Sequence, residues 1–288
     1  MKPAPFTYHA PRSLDEALSL AASLENARLL AGGQSLLPLL NFRLANPDHL
    51  IDLGRVEGLA GIEATPTGLS IGAMTTQREL ERSPRVREFC PLLAEALKHV
   101  GHAATRNRGT IGGSLCHLDP AAELPVVATA LDAKLTVASL RGARALPFRE
   151  FSSGYLTNRL EAHEILVRVE LPRLDSRAGW AFTEMARRKG DFAIVSVAAT
   201  LLAGTDGVLR EARVAVGGLG AAPVRATAAE QSMVGRRWEE RLAERAGRIA
   251  AELPANGDDL YPADYRRHLA GVLARRALLA AARRLKAS

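Results

Sequence analysis

The 288 residues are enough for two or three compact domains, and 47% hydrophobic with 24% charged side chains is the make-up of an ordinary globular protein. No stretch approaches the ~20 apolar residues of a membrane-spanning helix; the best, 192–204, is too short and carries Ser196 and Thr200. The formal charge of +7 lies wholly in the last part of the chain: Lys plus Arg against Asp plus Glu is 19 and 19 over 1–176, but 19 and 12 over 177–288.

The opening reads β-α-β. Ser13 and Glu16 form a capping box for a helix whose apolar positions, Leu14, Ala17, Leu18, Ala21 and Ala22, recur at helical spacing. A short apolar strand at 27–31 ends on Gly32-Gly33, a helix is expected over 36–42, and 49–53 reads as a strand. The texture then changes to a hairpin, 61–64 and 68–73, around a Pro66-Thr67-Gly68 turn. Helix is expected at 76–81 and 91–100, then a glycine loop at 109–113, an apolar segment at 124–131, a strand at 134–139 and a β pattern at 164–171. Past a boundary near 174–177, strands fit 180–186, 193–202 and 211–216, and 224–286 is helical in pattern with a break near 254–262.

The N-terminus has no apolar signal region, which makes a cytoplasmic location the expectation. Cys90 and Cys116 are too few for a four-ligand zinc or iron–sulfur site, and Cys116 reads as a small buried side chain. The surplus arginines come in pairs, Arg236/Arg237, Arg266/Arg267, Arg275/Arg276 and Arg283/Arg284, on helical patterns. A solvated face or a partner surface explains them better than nucleic acid does. His99, His102 and His117 lack the spacing and the carboxylate of a metal site, so no metal ligands are assigned. A hydrolase is disfavoured because no Gly-x-Ser-x-Gly elbow surrounds any serine.

Two glycine motifs carry the chemistry. Leu29-Leu30-Ala31-Gly32-Gly33-Gln34-Ser35-Leu36 is a strand running into a glycine turn, and Arg108-Gly109-Thr110-Ile111-Gly112-Gly113-Ser114 follows the same logic. Glycines at such places let backbone N–H groups approach an anion closely, and the Ser35 hydroxyl adds a donor. Neither motif is a dinucleotide fingerprint or a phosphate loop ending in Gly-Lys-Ser. Two such loops suit one extended ligand with a diphosphate in its middle.

Ala31–Ser35, Arg106–Ser114, Asp119-Pro120-Ala121-Ala122-Glu123 and Arg187-Arg188-Lys189-Gly190-Asp191-Phe192-Ala193 occur in that order. Together they resemble the FAD-binding medium subunit of the molybdenum hydroxylases, the xanthine dehydrogenase family. The texture is most similar to the medium subunits of carbon monoxide dehydrogenase and quinoline-type oxidoreductases. The resemblance covers nearly the whole chain. It implies an α+β protein: an FAD-binding fold of the vanillyl-alcohol oxidase type in two subdomains, expected at 1–57 and 58–176, and a C-terminal antiparallel-sheet and helix domain at 177–288. It also implies that Leu29 to Leu36 and Thr110, Ile111, Gly112, Gly113 and Ser114 wrap the FAD diphosphate. Glu123 would help hold the cofactor, Leu166 would pack on it, and Phe192 would lie against the isoalloxazine ring. No catalytic residue is expected here. Partners would be a large molybdenum-cofactor subunit and a small subunit with 2Fe-2S clusters, in a dimer of heterotrimers. The complex would hydroxylate an aromatic N-heterocycle or an aldehyde, or oxidise carbon monoxide. One departure is Glu184, where some relatives carry lysine. The rival reading is a self-sufficient FAD-dependent oxidase or reductase of the same fold. A β-branched residue at Gly33 or Gly112 is expected to strip FAD and leave the fold largely intact.

Overall fold

The computed structural model describes residues 2–286. The first unit is β1 (Thr7–His9), α1 (Leu14–Ser23), β2 (Ala27–Leu30), α2 (Leu36–Asn41) and β3 (His49–Asp52). Its three strands form a parallel sheet in the order β1-β3-β2, because each connection runs through a helix or loop long enough to cross back. Ser13 caps α1 by accepting from the Glu16 N–H, and Glu16 returns a bond to the Arg12 N–H. Ala17, Leu18 and Ala21 then bury one face of α1 against Ile51 and Leu53.

A five-stranded sheet follows. In chain order come β4 (Ile62–Thr65), β5 (Gly68–Gly72), α3 (Gln77–Arg82), α4 (Pro84–Phe89), α5 (Pro91–Ala96), α6 (Ala103–Arg106), α7 (Ile111–His117) and α8 (Glu123–Ala130). Then come β6 (Lys134–Ser139), β7 (Gly142–Pro147), the small hairpin β8 (Ser152–Gly154) and β9 (Thr157–Asn158), and β10 (Ile165–Pro172). The sheet order is β4-β5-β10-β6-β7, antiparallel throughout. Its inner face packs on α5, α7 and α8 through Leu92, Leu93, Leu115, Val127, Val137 and Phe151. The helix expected over 91–100 is the shorter α5, and α4 before it was not anticipated; each is started by a proline at its first turn. The apolar segment at 124–131 is the helix α8, buried along its whole length. Burial pushes both the Cys90 and Cys116 thiols up to about 12, which leaves them as packing groups.

Arg144 on β7 grips Glu164 at the start of β10 with two bonds of 2.7 Å, and the Glu161 N–H adds a third at 3.0 Å. The Arg144 bonds, more than the backbone N–H, hold the Glu164 carboxyl down at about 2. A carboxylate depressed in the folded state stabilises at pH values above its unfolded pKa, and that contribution is lost as pH falls through the folded value. With Arg144 half exposed, solvent screening leaves about 1–2 kcal/mol of the ~3 kcal/mol the full shift represents. Glu164→Gln should therefore melt lower than the parent at pH 7, and thermal scans should show the gap closing as pH falls from 5 to 2.

The last unit is β11 (Gly179–Ala186), β12 (Ala193–Ala203), β13 (Leu209–Gly217), β14 (Val224–Arg225), α9 (Thr227–Gln231), α10 (Glu240–Ala250) and α11 (Ala263–Ala282). The four strands pair antiparallel in sequence order. β12 is apolar on both faces because both are covered. Val195, Val197, Ala199 and Leu201 face α10 and α11, while Ala198 joins Phe182 and Ala215 against the core of the preceding unit. Gly247 and Gly271 let α10 and α11 meet backbone to backbone, since a Cβ on either would lie 2.8 Å from the other's carbonyl oxygen. A polar seam ties this sheet to α5. Glu95 pairs with Arg284, which donates to the Trp180 carbonyl at 2.7 Å, and the Phe182 N–H reaches Glu95 at 3.4 Å.

Candidate functional site

The two glycine motifs meet directly. The first leaves β2 at Leu29 and Leu30, turns through Ala31, Gly32, Gly33, Gln34 and Ser35, and enters α2 at Leu36. Gly33 sits at φ +74°, a left-handed value that glycine adopts at little cost. Gln34 folds back, its Nε2 donating to the Gly32 carbonyl at 3.3 Å, and the Ser35 hydroxyl makes no capping bond. Among the described residues, the N–H groups of Gly32, Gly33, Gln34, Ser35 and Leu36 have no acceptor in the protein. A run of free backbone donors bent around a left-handed glycine is a concave anion cradle. A diphosphate fits it.

The second motif differs from its expectation. It is no loop: Thr110 caps α7, and Gly112 and Gly113 lie inside the helix. The backbone donors from Ile111 to Ser114 are engaged within the protein. Ile111 donates to the Thr75 carbonyl at 3.1 Å, Gly112 to that of Ala73 at 2.8 Å, Gly113 to the Thr110 hydroxyl at 3.0 Å and Ser114 to the Thr110 carbonyl at 3.1 Å. The cap and the adjoining turn after β5 already give these four N–H groups acceptors, while the Thr110 N–H has none among the described residues. What α7 still offers is the Ser114 hydroxyl, which has no bond within the protein among the described residues, and the positive end of its dipole.

Close packing joins the two motifs. A Cβ on Gly32 would lie 2.1 Å from the Arg108 carbonyl oxygen, and one on Gly113 would lie 3.4 Å from the Ala31 Cβ. Gly112 is needed for a different reason: a Cβ there would lie 2.6 Å from that of Ala73 and 2.7 Å from its carbonyl oxygen.

Glu123 opens α8, is 7% exposed, and has no ion pair among the described residues, its carboxyl taking a hydrogen bond from its own backbone N–H. Burial pushes its carboxyl up to about 7, with the charge of Glu184 adding to the effect. Leu166 on β10 is buried in the core behind Ala73, whose N–H bonds to the neighbouring Val167 carbonyl. Phe192 ends the turn between β11 and β12 and is 75% exposed, an unusual place for a large apolar ring with no partner. The same turn carries Arg187, Arg188 and Lys189, and its Gly190 rests on the His102 ring, which a Cβ would meet at 2.4 Å. Glu184, the departure from the family pattern, pairs with His99 at 3.2 Å, and the Glu184 bond raises the imidazole pKa. Sequence reasoning missed this pairing and the contact with His102. The packing of α5 on β11 brings 99–102 under 184–192.

Phe192→Ala should leave stability unchanged within about 0.5 kcal/mol, because the ring is exposed and covers no core. With FAD bound, the flavin spectrum or midpoint potential should move more than occupancy does, as absorbance and redox titration would read.

Comparison with known proteins follows the same lines. Residues 4–174 match the family model described as the FAD binding domain in molybdopterin dehydrogenase. Residues 180–281 match that of the CO dehydrogenase flavoprotein C-terminal domain. The chain is 42% identical over 235 residues to the 6-hydroxypseudooxynicotine dehydrogenase complex subunit alpha of Paenarthrobacter nicotinovorans, covering 81% of this chain and 79% of that one. It is 35% identical over 283 residues to the carbon monoxide dehydrogenase medium chain of Hydrogenophaga pseudoflava, covering 98% of each. The crystal structure of quinoline 2-oxidoreductase from Pseudomonas putida 86 superposes with a TM-score of 0.94 at 41% identity, over 98% of this chain and 99% of that one.

Proposed function

The chain belongs to the FAD-binding medium subunits of the molybdenum hydroxylases, and we propose that its FAD diphosphate rests in the cradle Leu29, Leu30, Ala31, Gly32, Gly33, Gln34, Ser35 and Leu36. The protein is an oxidoreductase subunit that holds FAD and works with partner subunits. When bound, FAD supplies a centre that accepts electrons singly and releases them in pairs. The residues of this chain bind and orient it.

In this reading the free donors of the first motif take the phosphate oxygens. Thr110, Ile111, Gly112, Gly113 and Ser114 form the opposite wall, with Ser114 giving a hydroxyl and α7 a favourable dipole. Glu123, buried and without an ion pair among the described residues, takes a cofactor hydroxyl. Phe192 gains a ring to stack on, which accounts for its exposure. Leu166 stands behind this wall as packing. Units 1–57 and 58–176 hold the cofactor between them, and unit 177–288 covers it. The run of free N–H groups from Gly32 to Leu36 carries the proposal.

The partners proposed are a large molybdenum-cofactor subunit and a small 2Fe-2S subunit, assembled as a dimer of heterotrimers. The clusters would deliver electrons to this chain, which passes them to an external acceptor. An aromatic N-heterocycle is the favoured substrate class, since the 41% and 42% matches are to enzymes named for quinoline and a nicotine derivative. The test is the absorbance of purified protein after incubation with FAD and removal of excess. Flavin bands retained by the parent and lost on disruption of the cradle support the reading. A chain that stays colourless, both alone and co-expressed with its partner subunits, overturns it.

A further inference from the structure

Beneath the β11–β12 turn, polar side chains from separate elements share one buried pocket. Glu184 on β11 spends one carboxylate oxygen on His99 at 3.2 Å; its Oε2 is buried with no partner. Directly across the strand pair stands Ser196 on β12, 0% exposed, its hydroxyl also unpartnered. Cross-strand neighbours have Cβ atoms about 4.5–5.5 Å apart, so both groups open into the same space. Position 217 on β13 shows what closes that space. A Cβ there would lie 3.0 Å from the Ser196 hydroxyl oxygen and 2.5 Å from the Val126 Cγ2. Val126 is three residues beyond Glu123 on α8, so both lie on the helix face turned toward Ser196.

Charge decides what such a pocket does. It holds two buried carboxylates and one imidazole. Around it, Asp119 leads into α8 and adds negative charge, while Glu95 on α5 is already taken by Arg284. No Lys or Arg forms an ion pair with Glu123 or Glu184 among the described residues. The one imidazole is already engaged by Glu184, so a bare carboxylate at Glu123 would be a buried anion with no cation of its own, which proteins avoid by holding a proton.

We propose that Glu123, Glu184, His99 and Ser196 form a proton-holding site, with Glu123 the protonated acid, Glu184 the partner of His99, and His99 the opening to solvent. The His99 side chain is 34% exposed against 9% for Glu184, so exchange with water runs through the imidazole. The site's use rests on the reading above in one respect: a redox cofactor that takes up protons with electrons gives a neighbouring proton store a purpose. The store itself is a property of this chain.

The test is infrared spectroscopy of the full chain, freed of flavin, across pH 5 to 9. The parent should show a protonated-carboxyl band at pH 6 that titrates away with a midpoint near the value of about 7 to which burial pushes Glu123. E123Q should lose that band. E184Q should keep it but lose it at a lower pH than the parent, because the like charge that helps retain the proton is gone. E123D, which restores the carboxyl, should restore a band, and it decides the matter if E123Q does not fold. Absence of a protonated carboxyl at pH 6 in the parent, or its survival in E123Q, overturns the proposal. FAD binding by absorbance on the same samples separates the two readings. A band without flavin binding keeps the proton site and removes its use; flavin binding without a band removes the site and leaves the cofactor reading standing.

Discussion

Gly32→Val should yield a folded chain that no longer retains FAD. The side chain has nowhere to go: its Cβ would lie 2.1 Å from the Arg108 carbonyl oxygen and 2.7 Å from the Gly109 Cα. Both are backbone atoms, anchored by the Gln77 N–H bond to the Gly109 carbonyl at 2.8 Å and by the Gly109 N–H bond to Thr105 at 2.7 Å. The first loop must therefore back away from the second, and the free donors from Gly32 to Leu36 turn away from the wall that faces them. The contact lies at the rim of the core, where the loop is part-exposed, so melting should drop far less than affinity does. A fall in FAD affinity of at least about 100-fold, or ~2.7 kcal/mol, is expected in an absorbance titration. Gly220→Ala is the control, since a Cβ there meets nothing within 4 Å. Unchanged affinity in Gly32→Val would mean that the cradle is not the cofactor's seat.

Gly112→Val should damage the fold and the site together. The sequence alone suggested loss of FAD with the fold intact, on the view that this glycine faces an anion. It faces Ala73 instead, whose Cβ and carbonyl oxygen would lie 2.6 and 2.7 Å from the new Cβ. Ala73 is 4% exposed, and its own N–H is bonded to Val167 on the central strand β10. Relief of the clash shifts α7 off the sheet and breaks the Gly112 bond to Ala73. The cost should reach about 3 kcal/mol, the upper end for overpacking, and denaturant midpoints would show it. Gly33→Val makes the contrast. At φ +74° it incurs about 1–2 kcal/mol of left-handed strain, but its new Cβ meets first the end of Leu37, at 3.1 Å. Leu37 Cγ at 3.2 Å and Leu30 Cδ1 at 3.4 Å complete its surroundings, all of them side-chain atoms, so it should lose flavin while keeping most of its stability. Equal melting of the Gly112 and Gly33 variants would undo this distinction.

Much of the molecule was legible before any coordinates. Ser13 with Glu16 announced α1, the alternation over 134–139 gave β6, and the apolar run over 193–202 gave the doubly covered strand β12. Those signals are local: caps, periodicity and turn chemistry act within a few residues. The two glycine motifs were also legible, because they stand in order with the 119–123 and 187–193 segments. Their different roles were not. Gly32 and Gly33 shape a donor array, whereas Gly112 and Gly113 are packing positions inside a helix that Thr110 starts. Composition cannot tell a glycine that admits a ligand from one that admits a neighbouring backbone; the neighbour, Ala73, is 39 positions away in the chain.

Residue types and their order thus determined the element plan and pointed to the family and its cofactor. Which backbone donors stay free, and which carboxylates are buried together, was decided by tertiary structure alone. Glu123, His99, Glu184 and Ser196 come from a helix start, a turn and two strands, and each is unremarked in its own segment. Only the register that sets Glu184 opposite Ser196, and the packing of α8 on β12 and β13, brings them to one face of the sheet, where their charges must be reconciled. Burial and Coulomb interaction depend on distance through space, which the chain specifies only when it is folded.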